Sequence, residues 1–362
     1  MKIECIQERL IGAVSTVEKI AGKNASLPIL SSIVLETTDS QLILKSTNLD
    51  LGIEVTVPAR IEEKGSVAVS GSILATFLNG VSGEKIKMEV KDSNLKISTS
   101  KTNTTIKVLP VDDFPVIPRV QGDSFDIDAQ QFIKGLKSVW YAASTSGVKP
   151  ELSSVYVYCE EGYVVFVATD SFRLAERKIK IKKSKDFGSI LIPFKNIPEI
   201  IRVLEKAEGD IKVTLSKNQL SCEFEGVYLV SRVIDGVFPD YRQIIPKSET
   251  TNVVVLKQDL IQSLKISNIF SDKFNQVHIK VDKTVFEITT KNNDIGETSN
   301  SVEAVIEGDP IEVNFNQKYI TDSFQSIEND SVSLSFNGNN RPVVIKSVPD
   351  TSFLYIVMPM NR

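Results

Sequence analysis

Residues 128–139 read Asp-Ala-Gln-Gln-Phe-Ile-Lys-Gly-Leu-Lys-Ser-Val, with apolar side chains at Phe132, Ile133, Leu136 and Val139. That spacing lines one face of an α-helix; Asp128 stands where an N-cap belongs, and Ala143 prolongs the stripe. The pattern recurs. Leu10, Ile11 and Val14 precede it with the same internal spacing, and Leu260, Ile261 and Leu264 follow it. A second triplet, Leu74, Phe77 and Leu78, returns as Ile197, Ile200 and Ile201 and again as Ile320, Ser323 and Phe324. Both steps, Leu74 to Ile197 and Ile197 to Ile320, are 123 residues. Each copy closes on an apolar-Pro pair: Phe114-Pro115, Phe238-Pro239 and Met358-Pro359. A period this long is a domain rather than a solenoid unit, because roughly 120 residues bury a core of their own.

Within each copy the order is helix, strands, helix, strands. Ile33 and Leu35 alternate with Leu42 and Leu44 around Asp39-Ser40, and Val155 and Val157 with Val164 and Phe166 around Glu161-Gly162. After the second helix, Ile86, Met88 and Val90 face Leu95 and Ile97 across Asp92-Ser93-Asn94. Their counterparts are Ile211, Val213, Leu215, Leu220 and Cys222 around Lys217-Asn218, then Val332, Leu334, Phe336, Val343 and Ile345 flanking Asn337-Gly338. Asn196, with Pro198 in the first turn, and Asn316 are the expected caps of two second helices. Two amphipathic helices on one face of antiparallel sheet make an α+β layer. Polar joins near Pro118–Asp123 and Pro246–Asn252 divide the chain into domains 1–120, 121–248 and 249–362.

Composition narrows the classes of function. The 42 basic and 46 acidic residues give a net charge of −4, so no overall basic field advertises nucleic acid. Cys5, Cys159 and Cys222 share no metal-ligand spacing and read as reduced thiols of a cytoplasmic protein. Glu4, Glu8 and Arg9 are wrong for a signal peptide, and no apolar run reaches the ~18 residues of a membrane span. The only histidine, His278, sits between Val277 and Ile279 in a strand-like alternation. No nucleophile-base set, phosphate loop or metal spacing accompanies it, so no catalyst and no cofactor are expected. Asp170 and Arg173 read as an i,i+3 ion pair.

The helix faces opposite the apolar stripes are polar and mildly basic: Gly12, Thr16 and Lys19, then Lys134 and Lys137, then Gln258, Gln262 and Lys265. Arg202, Lys206 and Lys318 add to this on the second helices, against Glu199 and Asp322. An ordinary solvated face and a lining that meets phosphate both fit. Helices pack ~8–10 Å apart, so six in a circle leave a hole of only ~7 Å and twelve leave roughly 24 Å. Only twelve, from two chains, admit a duplex.

Four stretches carry a family resemblance over the whole chain: Leu27-Pro28-Ile29-Leu30, Ala168-Thr169-Asp170-Ser171-Phe172-Arg173-Leu174-Ala175, Phe238-Pro239-Asp240-Tyr241-Arg242 and Val357-Met358-Pro359-Met360. In this order, on a threefold repeat, they resemble the bacterial β sliding clamps, the processivity subunits of replicative DNA polymerases. The resemblance implies three tandem DNA-clamp domains forming half of a closed ring, and a head-to-tail homodimer around double-stranded DNA held without sequence preference. It implies partners that dock through short linear motifs rich in Gln, Leu and Phe: the replicative DNA polymerase, the clamp loader, repair polymerases, and ligase or mismatch-repair proteins. Their cleft would use Leu152, Thr169, Ser171, Phe172, Arg173 and Leu174 from the middle copy with Pro239 and Ile244 from its end. Pro342, Val357, Met358, Pro359 and Met360 would complete it. Met and Pro give adaptable apolar walls, and Arg173 a fixed donor at the rim. DNA contacts would fall to Lys23, Lys149 and Lys195, with Lys134, Lys137 and Arg202 on the helix faces; Pro150 and Glu151 stand where some clamps present two Tyr. Phe172 replaces a common His, and Gln243 an Arg of some clamps. The dimer contact implied by position is Ile106 against Ile269 and Phe270.

Two rivals stay open. The last apolar residues, Ile356 to Met360, could be an edge strand on their own sheet, and a monomeric scaffold that binds peptides without closing would show the same repeat.

Overall fold

The computed structural model describes residues 1–22, 27–181 and 188–360. The first repeat runs β1 (Lys2–Ile6), α1 (Gln7–Glu18), β2 (Ser32–Thr37), β3 (Gln41–Thr47), β4 (Leu51–Glu63), β5 (Ser66–Ser70), α2 (Gly71–Gly80), β6 (Lys85–Lys91), β7 (Asn94–Ser98) and β8 (Asn103–Leu109). The second repeats the order: β9 (Asp123–Asp128), α3 (Ala129–Val139), β10 (Ser154–Glu160), β11 (Tyr163–Thr169), β12 (Arg173–Lys180), β13 (Ile190–Pro193), α4 (Ile197–Leu204), β14 (Asp210–Leu215), β15 (Gln219–Phe224) and β16 (Val227–Arg232). The third has β17 (Thr251–Leu256), α5 (Lys257–Ile269), β18 (Gln276–Asp282), β19 (Val285–Asn292), β20 (Gly296–Ser301), β21 (Ala304–Gly308), β22 (Ile311–Asn316), α6 (Gln317–Ser323), β23 (Ser331–Phe336), β24 (Val343–Val348) and β25 (Phe353–Val357). In it β20 and β21 together stand for the single long β4: β4 pairs with β1, and β21 with the corresponding β17.

The periodicities explain the elements. Leu10, Val14 and Val17 on α1 are buried, as are Leu74 and Leu78 on α2, against the inward-facing Ile33, Leu35, Leu42 and Leu44 of β2 and β3. Each such side chain stabilises by about 1.5–3 kcal/mol relative to exposure. The two-residue turns Asp92-Ser93 and Glu161-Gly162 have positive φ at both positions, the twist that matches paired strands. On α3, Gly135 lets the helix approach β11 closely: a β-carbon there would lie 2.3 Å from the Phe166 ring.

Some sequence expectations need correction. Phe77 is half-exposed, whereas Ile200 and Ser323 at the same place are fully buried. α3 ends at Val139, and Ala143 is buried beyond a short 3-10 turn, in extended backbone. Asn316 does cap α6, accepting from the Tyr319 amide. Asn196 precedes α4 without capping it, because its side-chain amide donates to Ser231 Oγ at 3.0 Å instead. Thr16 is buried rather than outward, and its hydroxyl lies 2.6 Å from Lys206 Nζ.

The chain folds as two compact units, and the middle repeat is shared between them. Unit 1, Met1–Gln130 with Lys195–Val233, contains a twelve-stranded antiparallel sheet in the order β1-β6-β7-β8-β5-β2-β3-β4-β16-β15-β14-β9, with β1 also pairing β4. Unit 2, Gln131–Phe194 with Ile234–Arg362, contains a nine-stranded sheet, β13-β10-β11-β12-β25-β24-β23-β17-β21, and a four-stranded sheet, β20-β19-β18-β22. Each unit therefore joins two repeats by one antiparallel strand pair, β4–β16 in unit 1 and β12–β25 in unit 2.

Candidate functional site

Unit 2 holds a cleft of about 490 Å³. One wall is the segment Gln243–Lys247, which begins inside the 3-10 turn Tyr241–Ile244; the other is the loop between β23 and β24, contributing Asn337, Asn340, Arg341 and Pro342, with Met358 also lining it. The sequence reading placed Ile244, Pro342 and Met358 here. It missed Asn337–Arg341, although the signal was available: six residues separate β23 from β24 where three or fewer close the matching hairpins.

The chain's last strand is not an edge. β25 lies between β12 and β24, with Arg173 opposite Val357, and the pairing runs on as the Met358 amide donates to the Phe172 carbonyl at 2.8 Å. The Met360 amide then donates to the Asn314 carbonyl, so 358–360 is tied at both ends and leaves Met358, Pro359 and Met360 half-buried. The turn before β12 presents Phe172: Ser171 takes φ +79°, and Asp170 Oδ1 accepts the Phe172 and Arg173 amides. Phe172 is 60 % exposed, and Pro239 is also exposed. Leu152, Thr169, Leu174 and Val357 are buried; Thr169 Oγ1 donates to the Arg173 carbonyl.

Arg173 does not offer a free donor at a rim. Its Nε donates to Asp170 at 3.0 Å, Nη1 to Asp322 at 2.5 Å and Nη2 to the Tyr141 carbonyl at 2.7 Å, and the guanidinium lies 4.7 Å from the Tyr319 ring centre. It is a largely covered clasp between the second and third repeats, its side chain 11 % exposed.

The basic residues named from sequence are mostly paired. Lys134 lies 2.8 Å from Glu328, Lys195 2.6 Å from Asp50, and Arg202 2.6 Å from Glu199 while it also donates to the Thr16 carbonyl. Lys137 and Lys149 are exposed, and Lys23 lies outside the described residues.

Besides the sheet ends at β9, β13, β21 and β22, two strands corresponding to those of the joints keep an open edge among the described residues: β8 along 103–107, which pairs only with β7 there, and β20 on the side away from β19. The two joints inside the chain show how such edges pair. Hairpin registers place Ile106 where Ser231 and Val357 stand, opposite Leu95, Leu220 and Val343. On the other side Gly296, Leu51 and Arg173 correspond, four residues before Asn300, Val55 and Arg177, which face Ile288, Leu44 and Phe166. Ser231 pairs with Leu51, and Val357 with Arg173. The two joints thus use one register, which, carried over to β8 and β20, would pair Ile106 with Gly296 and Thr104 with Thr298. A β-carbon at Gly296 would sit 3.6 Å from the Phe270 ring. Helix faces beside these edges are apolar and open: Ile73 (54 % exposed) and Phe77 line an apolar hollow of about 670 Å³ with Ile106, and Ile269 (65 % exposed) and Ile266 stand on α5.

Comparison with known proteins decides what this arrangement is. Three domain models of the DNA polymerase III beta subunit match in order: N-terminal over residues 1–118, central over 126–240 and C-terminal over 242–361. The chain belongs to the bacterial β sliding clamp family. The beta sliding clamp of Staphylococcus epidermidis is 24 % identical over 378 residues, covering 100 % of this chain and 99 % of that protein. The beta subunit of DNA polymerase III from Thermotoga maritima has the same fold at a TM-score of 0.93 and 27 % identity, covering 100 % and 99 % of the two chains. The DNA polymerase sliding clamp of Bacillus subtilis matches at 0.96 with 24 % identity over the same shares. Sliding-clamp membership accounts for the threefold α+β repeat. Among the described residues no helix is long and apolar enough to cross a membrane, and no group of three His, Cys, Asp or Glu is placed to hold a metal ion.

Proposed function

We propose that two copies of this chain, each with clamp domains over 1–120, 121–248 and 249–362, close head to tail into a ring around duplex DNA. The ring serves the replicative polymerase as its sliding clamp. The observation that supports closure is the repeated joint. The same antiparallel pairing is used twice within the chain, and its two unused halves, β8 and β20, stand one in each unit with matching register. Ile106 of one copy then lies over Gly296 beside Phe270 of the other, and Ile73 and Phe77 meet Ile266 and Ile269. Retention is topological: a closed ring leaves only by opening a seam or by reaching a DNA end, so weak, non-specific phosphate contacts suffice and permit sliding. Lys137, Lys149 and Lys195 are the exposed candidates for those contacts.

The cleft in unit 2 is the docking site for short motifs of Gln, Leu and Phe, through which polymerases, the clamp loader and repair proteins attach. Its role is to tether partners, not to catalyse, and it works in the cytoplasm. Met360→Ala is expected to weaken such peptides by about 1–3 kcal/mol with the dimer intact.

Two experiments test the ring. Thr104→Cys with Thr298→Cys in one chain should cross-link copies into a covalent dimer, since directly opposed strand residues are within disulfide reach. Light scattering should give twice the 40.1 kDa chain mass. The ring, cross-linked after loading on circular DNA, should be lost when the circle is cut; equal retention on cut and intact circles refutes the topological mechanism, and a 40.1 kDa particle at micromolar concentration refutes the dimer.

A further inference from the structure

Each linker that crosses a strand joint is tied down by a buried carboxylate from the same position of the fold. In unit 2 Glu176 on β12 accepts the hydroxyl of Tyr241, in the linker after β16. That hydroxyl lies 2.8 Å from the hydroxyl of Tyr158, which accepts from Arg242 Nη2 at 2.7 Å, and Arg242 pairs in turn with Glu160. In unit 1 the corresponding residue on β4 is Glu54, one after Ile53 as Glu176 is one after Ala175. It too is buried, and Arg119 of the linker after β8 pairs with it. In the third repeat the corresponding residue is Ser299 on β20, a neutral side chain rather than a carboxylate.

A carboxylate at a buried strand position is costly unless it is hydrogen-bonded, so its occurrence at both covered joints marks a specific contact rather than filler. A hydroxyl-to-carboxylate bond is charge-assisted and directional. Burial, with Glu176 beside it, pushes the Tyr241 hydroxyl well above its ordinary value, so it remains a donor across the working pH range. Tyr241 also opens the 3-10 turn Tyr241–Ile244, and the residues that follow are the linker wall of the cleft. Phe238, stacked on Tyr156 at 4.8 Å between ring centres, holds the start of the linker in register.

We propose that Glu176 and Tyr241 are positioning residues for the peptide cleft: their bond fixes how far the Gln243–Lys247 wall stands from the Asn337–Pro342 wall, and so sets peptide affinity without touching the peptide. This rests on the reading of the cleft as the docking site.

The test uses the full-length protein titrated with a fluorescein-labelled Gln-Leu-Leu-Phe peptide by anisotropy, with thermal melting and solution mass measured alongside. Tyr241→Phe keeps the ring packing and loses only the hydroxyl; about tenfold weaker binding at unchanged mass is expected. Glu176→Gln keeps an acceptor and should stay within about threefold of the native affinity. Glu54→Gln, the equivalent change in unit 1, should leave peptide affinity unchanged. Native affinity in Tyr241→Phe while Met360→Ala weakens binding overturns the positioning role and leaves the cleft standing. Native affinity in both overturns the cleft reading and this proposal with it. Equal losses in Tyr241→Phe and Glu54→Gln would assign the effect to general loosening and overturn the proposal.

Discussion

Replacing Ile269 by Asp is the sharpest test of the seam. Ile269 is 65 % exposed on α5, at the end that the register places against Ile73 and Phe77 of a second copy. Full burial of an Ile side chain stabilises by about 1.5–3 kcal/mol, so covering the part still exposed supplies about 1–2 kcal/mol at each seam. An Asp there forfeits this contribution and sets a carboxylate against an apolar face, losing about 1–3 kcal/mol more even when only partly desolvated. A ring has two seams, so the dimer loses at least about 4 kcal/mol, on the order of a thousandfold in its dissociation constant. Sedimentation or light scattering over a dilution series from micromolar to nanomolar reads this directly. Val148→Asp, at a still more exposed Val (85 %) in a loop of unit 2, is the control and should dissociate like the unaltered chain. If Ile269→Asp stays dimeric at the same dilutions as that control, the seam lies elsewhere and the register argument fails.

Three other expectations concern the fold. Arg173→Ala leaves Asp170, Asp322 and the Tyr141 carbonyl without their donor; a loss of about 3–5 kcal/mol should appear in calorimetry as earlier melting of unit 2. Gly135→Ala drives a methyl into a Phe166 ring already met edge-on by Phe132 at 5.4 Å, and should cost at least about 1–3 kcal/mol in urea unfolding. Burial pushes the Cys5 and Cys222 thiols up to about 12. A folded value above the unfolded one means their contribution is whole below about pH 9 and is lost toward pH 12, by about 1.4 kcal/mol per unit for each thiol. Urea midpoints at pH 9 and 10.5 should show a shallower fall in Cys222→Ala than in the unaltered chain.

The sequence made the helices and hairpins legible because burial repeats along each of them, every 3.6 residues on α1 and α3 and every two on β2, β3, β10 and β11. Contacts between repeats leave no such trace. β4 pairs with β16 across more than 160 residues, and nothing periodic in either strand says so. For the same reason Thr16 and Arg202 read as solvent-facing, when the polar face of α1 is in fact covered by Arg202 of α4 and by Lys206 just after it. Phe77 was misplaced in the opposite sense. Its place in a core-like triplet predicts burial, as at Ile200, yet it lines an open apolar hollow with Ile73 and Ile106. The cleft was half legible: Met358, Pro342 and Ile244 are unusual apolar residues at a chain end and in loops, while the polar loop Asn337–Arg341 gave only its length.

The outward faces of the two joints differ from those of the two edges that the proposed ring would pair. At the joint in unit 2 the outward residues are Leu174, Val344 and Ile356, packed under Phe238 and Tyr241 of the linker. At the joint in unit 1 they are Gly52, Tyr228 and Val230, covered by Ile117; a β-carbon at Gly52 would lie 3.2 Å from the Ile117 side chain, which would have to shift to admit it. The matching residues at the open edges are Lys96, Asn103 and Thr105 on the first repeat and Glu297 and Ser299 on the third, all polar. Apolar surface appears where a linker crosses, and polar surface at these two edges. On the ring reading, the seam between copies is then held by its strand ladder and its helix side alone, with Lys96 and Lys107 on the same outward face as Glu297 of the partner copy. A joint lacking its outer layer has fewer contacts to break than the two inside the chain. It can open to admit DNA while both internal joints stay closed, which is what a tether that must be loaded onto a closed circle requires.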